Sequence, residues 1–328
     1  MTLVVCPNLA VDRVLTAETV CLGGLTRCRA LRQQAGGKGA NVLRALHLLR
    51  GGCGAVHGLL AGFAAGQTGS LFAELAADEG LATHLIACAG DMRVSTVLLA
   101  GDGSVTRLFE HGPEINARDE TALLSAMAAR PAEPGEWAIV DGAAPPGASK
   151  DFYGTICRTL RIAGYRVLVD ATGVQLIAGL SAGPDFVKVN FAEACSAVGA
   201  PRGVCADGER PSGKELEEEG QELSRLLVAA GAQDAVVTLG AAGAVGLIDD
   251  QVWRVQTPPI EARNAVGSGD CFAAGLVVGF ERGEPPETAL ASAAGAAAAN
   301  AASRLTGHFD LESAYRLTSL ATVDPRAH

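Results

Sequence analysis

Regular alternation of helical and strand patterns in the middle of the chain constrains its fold more than any other feature. Amphipathic stretches of helical period are separated there by short apolar runs. A helix between successive strands makes those strands parallel and covers both faces of their sheet. We therefore predict an α/β fold, a three-layer α/β/α sandwich around a mostly parallel sheet. The alternating segments are 117–129, 136–141, 150–163, 165–170, 172–181 and 185–189.

Two segments interrupt this alternation and predict a second, smaller sheet. Residues 14–35 alternate polar and apolar side chains, and residues 92–110 do so around a Gly101-Asp102-Gly103 turn. We expect a small β-sheet lid, built from about 10–35 and 90–115, on a single domain that spans 1–328. The remaining predicted elements are strands at 3–6, 55–60 and 234–240, a hairpin at 242–256, helices at 66–79, 268–282, 286–303 and 311–320, and a loop leading into an acidic helix at 200–222.

Charge and composition exclude several classes of function. With 26 basic against 36 acidic residues the net charge is −10, which argues against nucleic acid as a partner. No uninterrupted apolar run approaches the roughly 20 residues that span a bilayer, so we expect no membrane segment. The nine cysteines lack a Cys-x-x-Cys pair, and the chain starts with a strand-like pattern rather than a basic leader. We expect a cytoplasmic protein with reduced thiols.

A glycine-rich turn near the end of the chain is a candidate anion site. Gly267-Ser268-Gly269-Asp270 leads into a run of small apolar residues at 271–280, which predicts a tight turn into a buried helix. The first amides of such a helix and its partial positive charge attract an anion. Asp270 at this turn is placed to take a proton from a hydroxyl that attacks a bound phosphoryl group. The alternative is a helix cap with no further role.

A second glycine-rich turn, Gly36-Gly37-Lys38-Gly39-Ala40-Asn41, precedes apolar residues at helical spacing. It lacks the hydroxyl residue after the lysine and the earlier glycine of the Walker pattern, and no Rossmann fingerprint follows a strand elsewhere. Lys38 and Asn41 offer a cation and an amide beside open backbone, which suits a polyol or a phosphate. A tight turn with no ligand is the alternative.

Together, these two turns resemble the paired signatures of the ribokinase-like (PfkB) carbohydrate kinases. The chain is similar to the branch that contains 1-phosphofructokinase and tagatose-6-phosphate kinase, in order over residues 2–310. This resemblance implies an enzyme that uses ATP and Mg²⁺ to phosphorylate a hydroxyl of a hexose phosphate, and a homodimer formed through the lid. Further matching segments are Asn8 to Asp12, Glu110 to Pro113, Pro145 to Gly147, Val169 to Gly173, Val187 to Glu193 and Val237 to Gly243.

The resemblance assigns the chemical step and the nucleotide to the second half of the chain. Asp270 matches the family's general base, and its anion hole matches Gly267, Ser268 and Gly269. Asn190 and Glu193 match residues that organise Mg²⁺, for which oxygen ligands and retained water are typical. The residues expected near the nucleotide are Lys188, Asn190, Thr238, Gly240, Gly243 and Asn300. Alternatives are a first-turn helix carboxylate for Glu193, a solvated cation for Lys188 and helix packing for Asn300.

On the acceptor side, the residues implied by the resemblance lie in the first third of the chain. Those that match holders of sugar hydroxyls are Asp12, Gly37 and Asn41. Three cations could hold a phosphate already on the sugar, since guanidinium and ammonium groups both bind phosphate: Arg27, Lys38 and Arg93. A surface cation is the alternative for each, above all for Arg27.

Departures from the pattern concentrate on this acceptor side. Met92 to Ser95 stands where the branch has Thr-Arg-x-Asn, and Thr106 to Phe109 where it has Thr-Glu-x-Asn. Asp141-Gly142-Ala143 replaces Ser-Gly-Ser, so hydroxyls expected near the acceptor phosphate are absent. Two further changes, Val189 for proline and Ser268 for alanine, are mild. An unphosphorylated sugar or a nucleoside as acceptor, or a sugar or nucleotide sensor without turnover, therefore stay open as alternatives.

Overall fold

A computed structural model of the chain describes residues 1–52, 58–199 and 213–326. Its larger sheet has ten strands in the order β14-β13-β12-β11-β10-β9-β8-β1-β4-β5 within these residues, numbered by position in the chain. These strands are β1 (Thr2–Val5), β4 (Gly58–Ala65), β5 (Thr83–Cys88), β8 (Trp137–Asp141), β9 (Arg166–Asp170), β10 (Phe186–Asn190), β11 (Asp234–Thr238), β12 (Ala244–Ile248), β13 (Gln251–Gln256) and β14 (Thr322–Arg326).

Strands β5, β4, β1, β8, β9, β10 and β11 run parallel, and β12 to β14 continue the sheet as antiparallel strands. Helices pack on both faces, which explains why every residue of β8 is buried. Successive β8 residues enter opposite cores, with Ile139 in one and Ala138 and Val140 in the other, because side chains alternate along a strand. The predicted α/β sandwich with a mostly parallel sheet is confirmed.

The helices divide between the two faces. One face carries α1 (Lys38–Leu49), α2 (Gly66–Asp78), α8 (Ser268–Glu281), α9 (Pro286–Ala302) and α10 (Leu311–Thr318). The other carries α3 (Ala117–Ala128), α4 (Phe152–Ile162), α5 (Gly173–Ser181), α6 (Phe191–Val198) and α7 (Gly213–Ala229). In the described part of the chain, no helix combines the length and the apolar character needed to cross a membrane.

The smaller sheet is separate from the larger one, as the interrupted alternation predicts. It consists of β2 (Ala10–Ala17), β3 (Arg29–Gly36), β6 (Arg93–Ala100) and β7 (Val105–Phe109), in the order β3-β2-β6-β7. Its outer strand β7 is exposed along its whole length and includes Leu108 and Phe109, which are 58% and 60% exposed. The small sheet therefore presents apolar side chains at its surface.

Several elements differ from the sequence-based expectation. Edge strands β5 and β14 were not predicted, because edge strands are half-exposed and depend on a ladder partner rather than on a strong pattern. The short helix α6 was considered only through the alternative role of Glu193 as a first-turn carboxylate. Asp12 lies within β2. The predicted strand at 55–60 and loop at 200–222 fall partly on residues 53–57 and 200–212, which lie outside the described residues.

Candidate active site

The carboxyl ends of the central parallel strands bring charged side chains together at one edge of the large sheet. Asp141 ends β8 and Asp170 ends β9, and the two residues are paired in register. Lys188 lies near the end of β10. Helices α1 and α8 begin at the same edge and bring Lys38 and Asp270 there. Ligands of open α/β sheets bind at this edge.

Asp170 is the centre of an ion-pair network. One carboxylate oxygen is 3.0 Å from Nζ of Lys38, and the other accepts a hydrogen bond from Lys188. Burial acts to raise the pKa of Asp170, but the two lysines outweigh it and hold that pKa below its usual value. Nζ of Lys38 also lies 3.5 Å from Oε1 of Glu193. Asp170 thus fixes two ammonium groups beside the start of α8.

The start of α8 requires glycine at position 267 and brings a lysine against position 269. Gly267 has φ of 80°, and a Cβ there would lie 2.6 Å from Cγ2 of Thr306. A Cβ on Gly269 would lie 2.8 Å from Nζ of Lys188. The ammonium group therefore lies directly against the helix N-terminus, and both features attract an anion. Ser268 is the first residue of α8, as predicted.

Asn300 is fully buried in α9 and holds this loop in place. Its Nδ2 donates to the carbonyl of Val266 at 2.8 Å and to Oγ of Ser268 at 3.0 Å, while its Oδ1 accepts from N–H of Gly307 at 2.7 Å. The side-chain amide is therefore engaged on the loop, in agreement with a packing role. The contact of Asn300 with a nucleotide stays a prediction.

Asp270 is oriented by a chain of hydrogen bonds from α1. Nδ2 of Asn41 donates to Oδ2 of Asp270 at 2.9 Å, and Oδ1 of Asn41 accepts from Arg44 at 3.0 Å. Arg44 in turn pairs with Glu79 at 2.7 Å. Burial raises the pKa of Asp270, against the opposing charge of Lys38. A carboxylate held this way has one oxygen fixed and an increased affinity for a proton.

Asp12, Gly37 and Arg93 lie where the small sheet meets the start of α1. Burial raises the pKa of Asp12 to about 6, against the opposing charges of Arg44 and Arg93. Arg93 is anchored by hydrogen bonds to the carbonyls of Asn8 at 2.9 Å and Leu9 at 3.4 Å. Gly37 has φ of 86° and caps α1 against the backbone of Leu9.

Arg27 is separated from this group. It lies in the exposed loop that links β2 and β3, and among the described residues no contact joins it to the other predicted site residues. The sequence analysis gave a surface cation as the alternative above all for Arg27, and its exposed position agrees with that alternative. The difference from Arg93 depends on the strand pairing of the small sheet, which places Arg93 opposite Ala10.

The ends of β10 and β11 carry the other predicted nucleotide and metal residues. Asn190 and Glu193 form a reciprocal capping box at the start of α6, with both bonds at 2.9 Å. Thr238 ends β11, and its hydroxyl donates to the carbonyl of Val189 at 3.4 Å. Gly240 and Gly243 have φ of 67° and 101°, and a Cβ on Gly243 would lie 1.9 Å from the carbonyl oxygen of Val255.

One functional candidate, Asp141, is missing from the residues predicted for the site. It is fully buried, and neither of its oxygens has a hydrogen-bond partner in the described structure. Carboxylate oxygens of Asp141, Asp170 and Asp270 all lie within 4.8 Å of one another. Burial, with the charges of Asp170 and Asp270, raises the pKa of Asp141 well above its usual value. The available signal was its position, an acid ending a buried strand where the resembled branch has serine.

Comparison with known proteins agrees with this architecture. The model of the pfkB family of carbohydrate kinases matches residues 1–313. A 1-phosphofructokinase of Haloferax volcanii is 30% identical over 291 residues, covering 88% of this chain and 87% of that protein. The ATP-dependent 6-phosphofructokinase isozyme 2 of Mycobacterium tuberculosis is 29% identical, covering 88% and 81%. The chain belongs to the pfkB family of carbohydrate kinases and is a phosphotransferase with an alcohol acceptor.

A solved structure extends this agreement to the fold. Phosphofructokinase-2 of Escherichia coli superposes with a TM-score of 0.85 at 22% identity and covers 97% of each chain. At this identity the likeness concerns the fold alone. The ribokinase-like fold expected from the two glycine-rich turns is confirmed.

Proposed function

We propose that the chain is an ATP-dependent kinase that transfers the γ-phosphoryl group to a hydroxyl of a hexose phosphate of the fructose 1-phosphate or tagatose 6-phosphate type. One observation carries the chemical part of this proposal. Asp270 is oriented by Asn41 at the N-terminus of α8, beside the ammonium group of Lys188. A base and an anion-binding helix end at one place are what phosphoryl transfer to a hydroxyl requires.

Each group has a separate task in the proposed reaction. Asp270 takes the proton of the acceptor hydroxyl as that oxygen attacks the phosphoryl group in line. Amides of Gly267, Ser268 and Gly269, together with Lys188, stabilise the charge on the transferred group. Asn41 keeps Asp270 in position, and Asn300 keeps the loop rigid from behind. Most of the rate enhancement then comes from positioning and electrostatics.

The residues at the start of α6 fit a magnesium ion held through water. Glu193 offers a carboxylate beside the end of β10, and oxygen donors with retained water are what Mg²⁺ prefers. The ion would neutralise charge on the nucleotide phosphates. Thr238, Gly240 and Gly243 would border the nucleotide, since glycines with positive φ keep that surface free of side chains.

The acceptor would lie between the small sheet and α1. Asp12, Gly37 and Asn41 are proposed to hold its hydroxyls, and Lys38 and Arg93 to offset its phosphate. Arg27 would reach the phosphate only by movement of the exposed β2–β3 loop. We propose that the small sheet acts as the lid of a single domain and that its apolar outer side chains pair two copies of the chain.

Turnover across a panel of acceptors tests this proposal. ADP release would be measured with ATP and Mg²⁺ for fructose 1-phosphate, fructose 6-phosphate, tagatose 6-phosphate, the free hexoses and common nucleosides. We expect turnover confined to hexose phosphates. Turnover with unphosphorylated acceptors only would assign the enzyme a different substrate class. No ADP release with any acceptor of the panel, while ATP still binds, would favour the sensor alternative.

A further inference from the structure

The carboxyl group of Asp141 differs from every other polar group described at the site. Its side chain has no exposed surface, and neither oxygen meets a hydrogen-bond donor in the described structure. The neighbouring carboxylate of Asp170 has a lysine on each oxygen. Buried polar groups are nearly always satisfied, so an unpartnered one at a binding site indicates a partner that arrives with the ligand.

The backbone fixes Asp141 where it lies. N–H of Gly142 donates to the carbonyl of Asp170 at 2.9 Å, and the hydroxyl of Tyr153 donates to the carbonyl of Gly142 at 3.2 Å. Gly142 itself has φ of 92°, which favours glycine and so fixes the turn directly after Asp141. These contacts fix the backbone at Asp141, so its carboxyl group starts from a set position within the buried site.

The donors nearest to Asp141 point to other carboxylates rather than to Asp141. Lys38 and Lys188 bind Asp170, and the amide of Asn41 binds Asp270. A phosphate oxygen is disfavoured next to Asp141, because it would add negative charge beside three carboxyl groups whose oxygens lie within 4.8 Å of one another, with only the two lysines on Asp170 to offset it. A hydroxyl group fits there, since it is neutral and both donates and accepts hydrogen bonds.

The separation also suits a sugar. An oxygen at about 2.8 Å from each of two carboxyl oxygens can bridge them when they are less than about 5.6 Å apart, given ordinary O–H···O lengths. Oxygens of Asp141 and Asp270 lie within 4.8 Å. One sugar hydroxyl can therefore reach both residues, and a hydroxyl on the neighbouring carbon stays close enough for each residue to bind one.

We propose that Asp141 is a specificity-determining residue that binds a hydroxyl of the acceptor sugar next to the hydroxyl that Asp270 deprotonates. This inference rests on the proposed kinase function and deepens it. It requires an acceptor with a free hydroxyl beside the phosphorylated position. It leaves any phosphate of the acceptor to the two cations proposed for it, Lys38 and Arg93.

Kinetics of two substitutions test this role. Asp141→Ala removes the group, while Asp141→Asn keeps its shape and its ability to donate and accept. With the best acceptor of the panel we expect Asp141→Ala to raise the acceptor KM by about 10- to 100-fold, as the loss of a buried hydrogen bond predicts. The ATP KM should stay within about twofold, and Asp141→Asn should restore most of the acceptor KM. An unchanged acceptor KM in Asp141→Ala would overturn the proposal.

Monodeoxy analogues of the acceptor separate binding from a merely structural role. For the analogue that lacks the hydroxyl bound by Asp141, wild type and Asp141→Ala should have equal kcat/KM, because the contact is already absent. Equal penalties of Asp141→Ala on every analogue would show a structural effect and overturn the proposal. Asp250→Asn, an exposed turn residue between β12 and β13, is the matched control and should change none of these values.

Two further outcomes distinguish this inference from failure of the proposed function. If no acceptor is turned over, calorimetry without ATP still applies: sugar binding lost in Asp141→Ala supports the inference, and no sugar binding to wild type overturns it. Titration with Mn²⁺ in the absence of nucleotide examines a cation at the three carboxyl groups. An equimolar Mn²⁺ site that Asp141→Asn abolishes would overturn the hydroxyl assignment.

Discussion

The loop before α8 and the end of β8 border the same site but differ in how their polar groups are satisfied. In the loop, Asn300 holds the backbone with hydrogen bonds of 2.7 to 3.0 Å. At the end of β8, Asp141 is buried without a donor among the described residues. The polar groups of the loop are therefore satisfied within the protein, whereas those of Asp141 are not. Under the proposed assignments, phosphoryl transfer and the choice of acceptor depend on different parts of the chain.

Among the substitutions considered, removing the charge of Asp170 should have the largest effect on the free energy of unfolding. Asp170→Asn leaves two buried or half-buried ammonium groups without their common partner, and we expect a loss of about 3–5 kcal/mol in the free energy of unfolding. Chemical denaturation measures this. The same substitution at the register neighbour, Asp141→Asn, removes no hydrogen bond within the protein and, because burial raises the pKa of Asp141, should not lower the free energy of unfolding at pH 7. Equal losses for both variants would contradict the comparison.

The next largest effect is expected on kcat, from adding a side chain to the loop before α8. Gly267→Ala places a methyl group against Thr306 and strains a positive φ, so we expect kcat to fall about 100-fold as the amides leave their positions. Gly283→Ala, just beyond the other end of α8, is the matched control. It has φ of 69° with open space around it, so it shares the backbone strain but not the contact. A kcat loss of similar size in the control would assign the effect to strain alone.

Asp12 provides a pH-dependent test on the acceptor side. Because its pKa is raised from 3.8 to about 6, the folded protein binds more protons than the unfolded chain between these values. Its contribution therefore becomes less favourable as pH rises through this window and is constant above it. Asp12→Asn should stabilise the protein by about 3 kcal/mol at pH 7, a gain that shrinks towards pH 4, while weakening acceptor binding.

Urea unfolding of wild type and Asp12→Asn between pH 4 and pH 8 measures this difference, with the exposed Asp250→Asn as control. A stability difference that is the same at every pH would show that the ionisation of Asp12 is not its source.

The smallest expected effect on stability concerns the outer face of the small sheet. Phe109→Lys should convert a dimer to a monomer in sedimentation experiments, while changing the unfolding free energy of the monomer by no more than about 0.5 kcal/mol. Ile162→Lys, an equally drastic change at an 88% exposed position on α4, should leave the dimer intact. If the wild type is a monomer, or if both variants stay dimeric, the small sheet is not the dimer interface.

The alternation of helices and strands was sufficient to predict the large parallel sheet, because consecutive strands that are joined by helices can pair in only a few topologies. Asp270, Lys38 and Asn41 were found from glycine-rich turns, whose spacing is local. Asp141 required the register of β8 against β9 and the knowledge that no donor faces it, which arises only after folding. The loop-binding role of Asn300 was equally hidden, since its partners lie 32 to 34 residues earlier and 7 residues later.

Substitution of Asp270 tests the central claim most directly, whichever sugar is the acceptor. Asp270→Asn keeps the hydrogen-bonding shape beside Asn41 but removes the base. We expect kcat with the best acceptor to fall by about 10³-fold, within the range for loss of a general base, while calorimetry gives an unchanged Kd for ATP. Retention of more than about 5% of wild-type kcat would be far above that range and would contradict the assignment of Asp270.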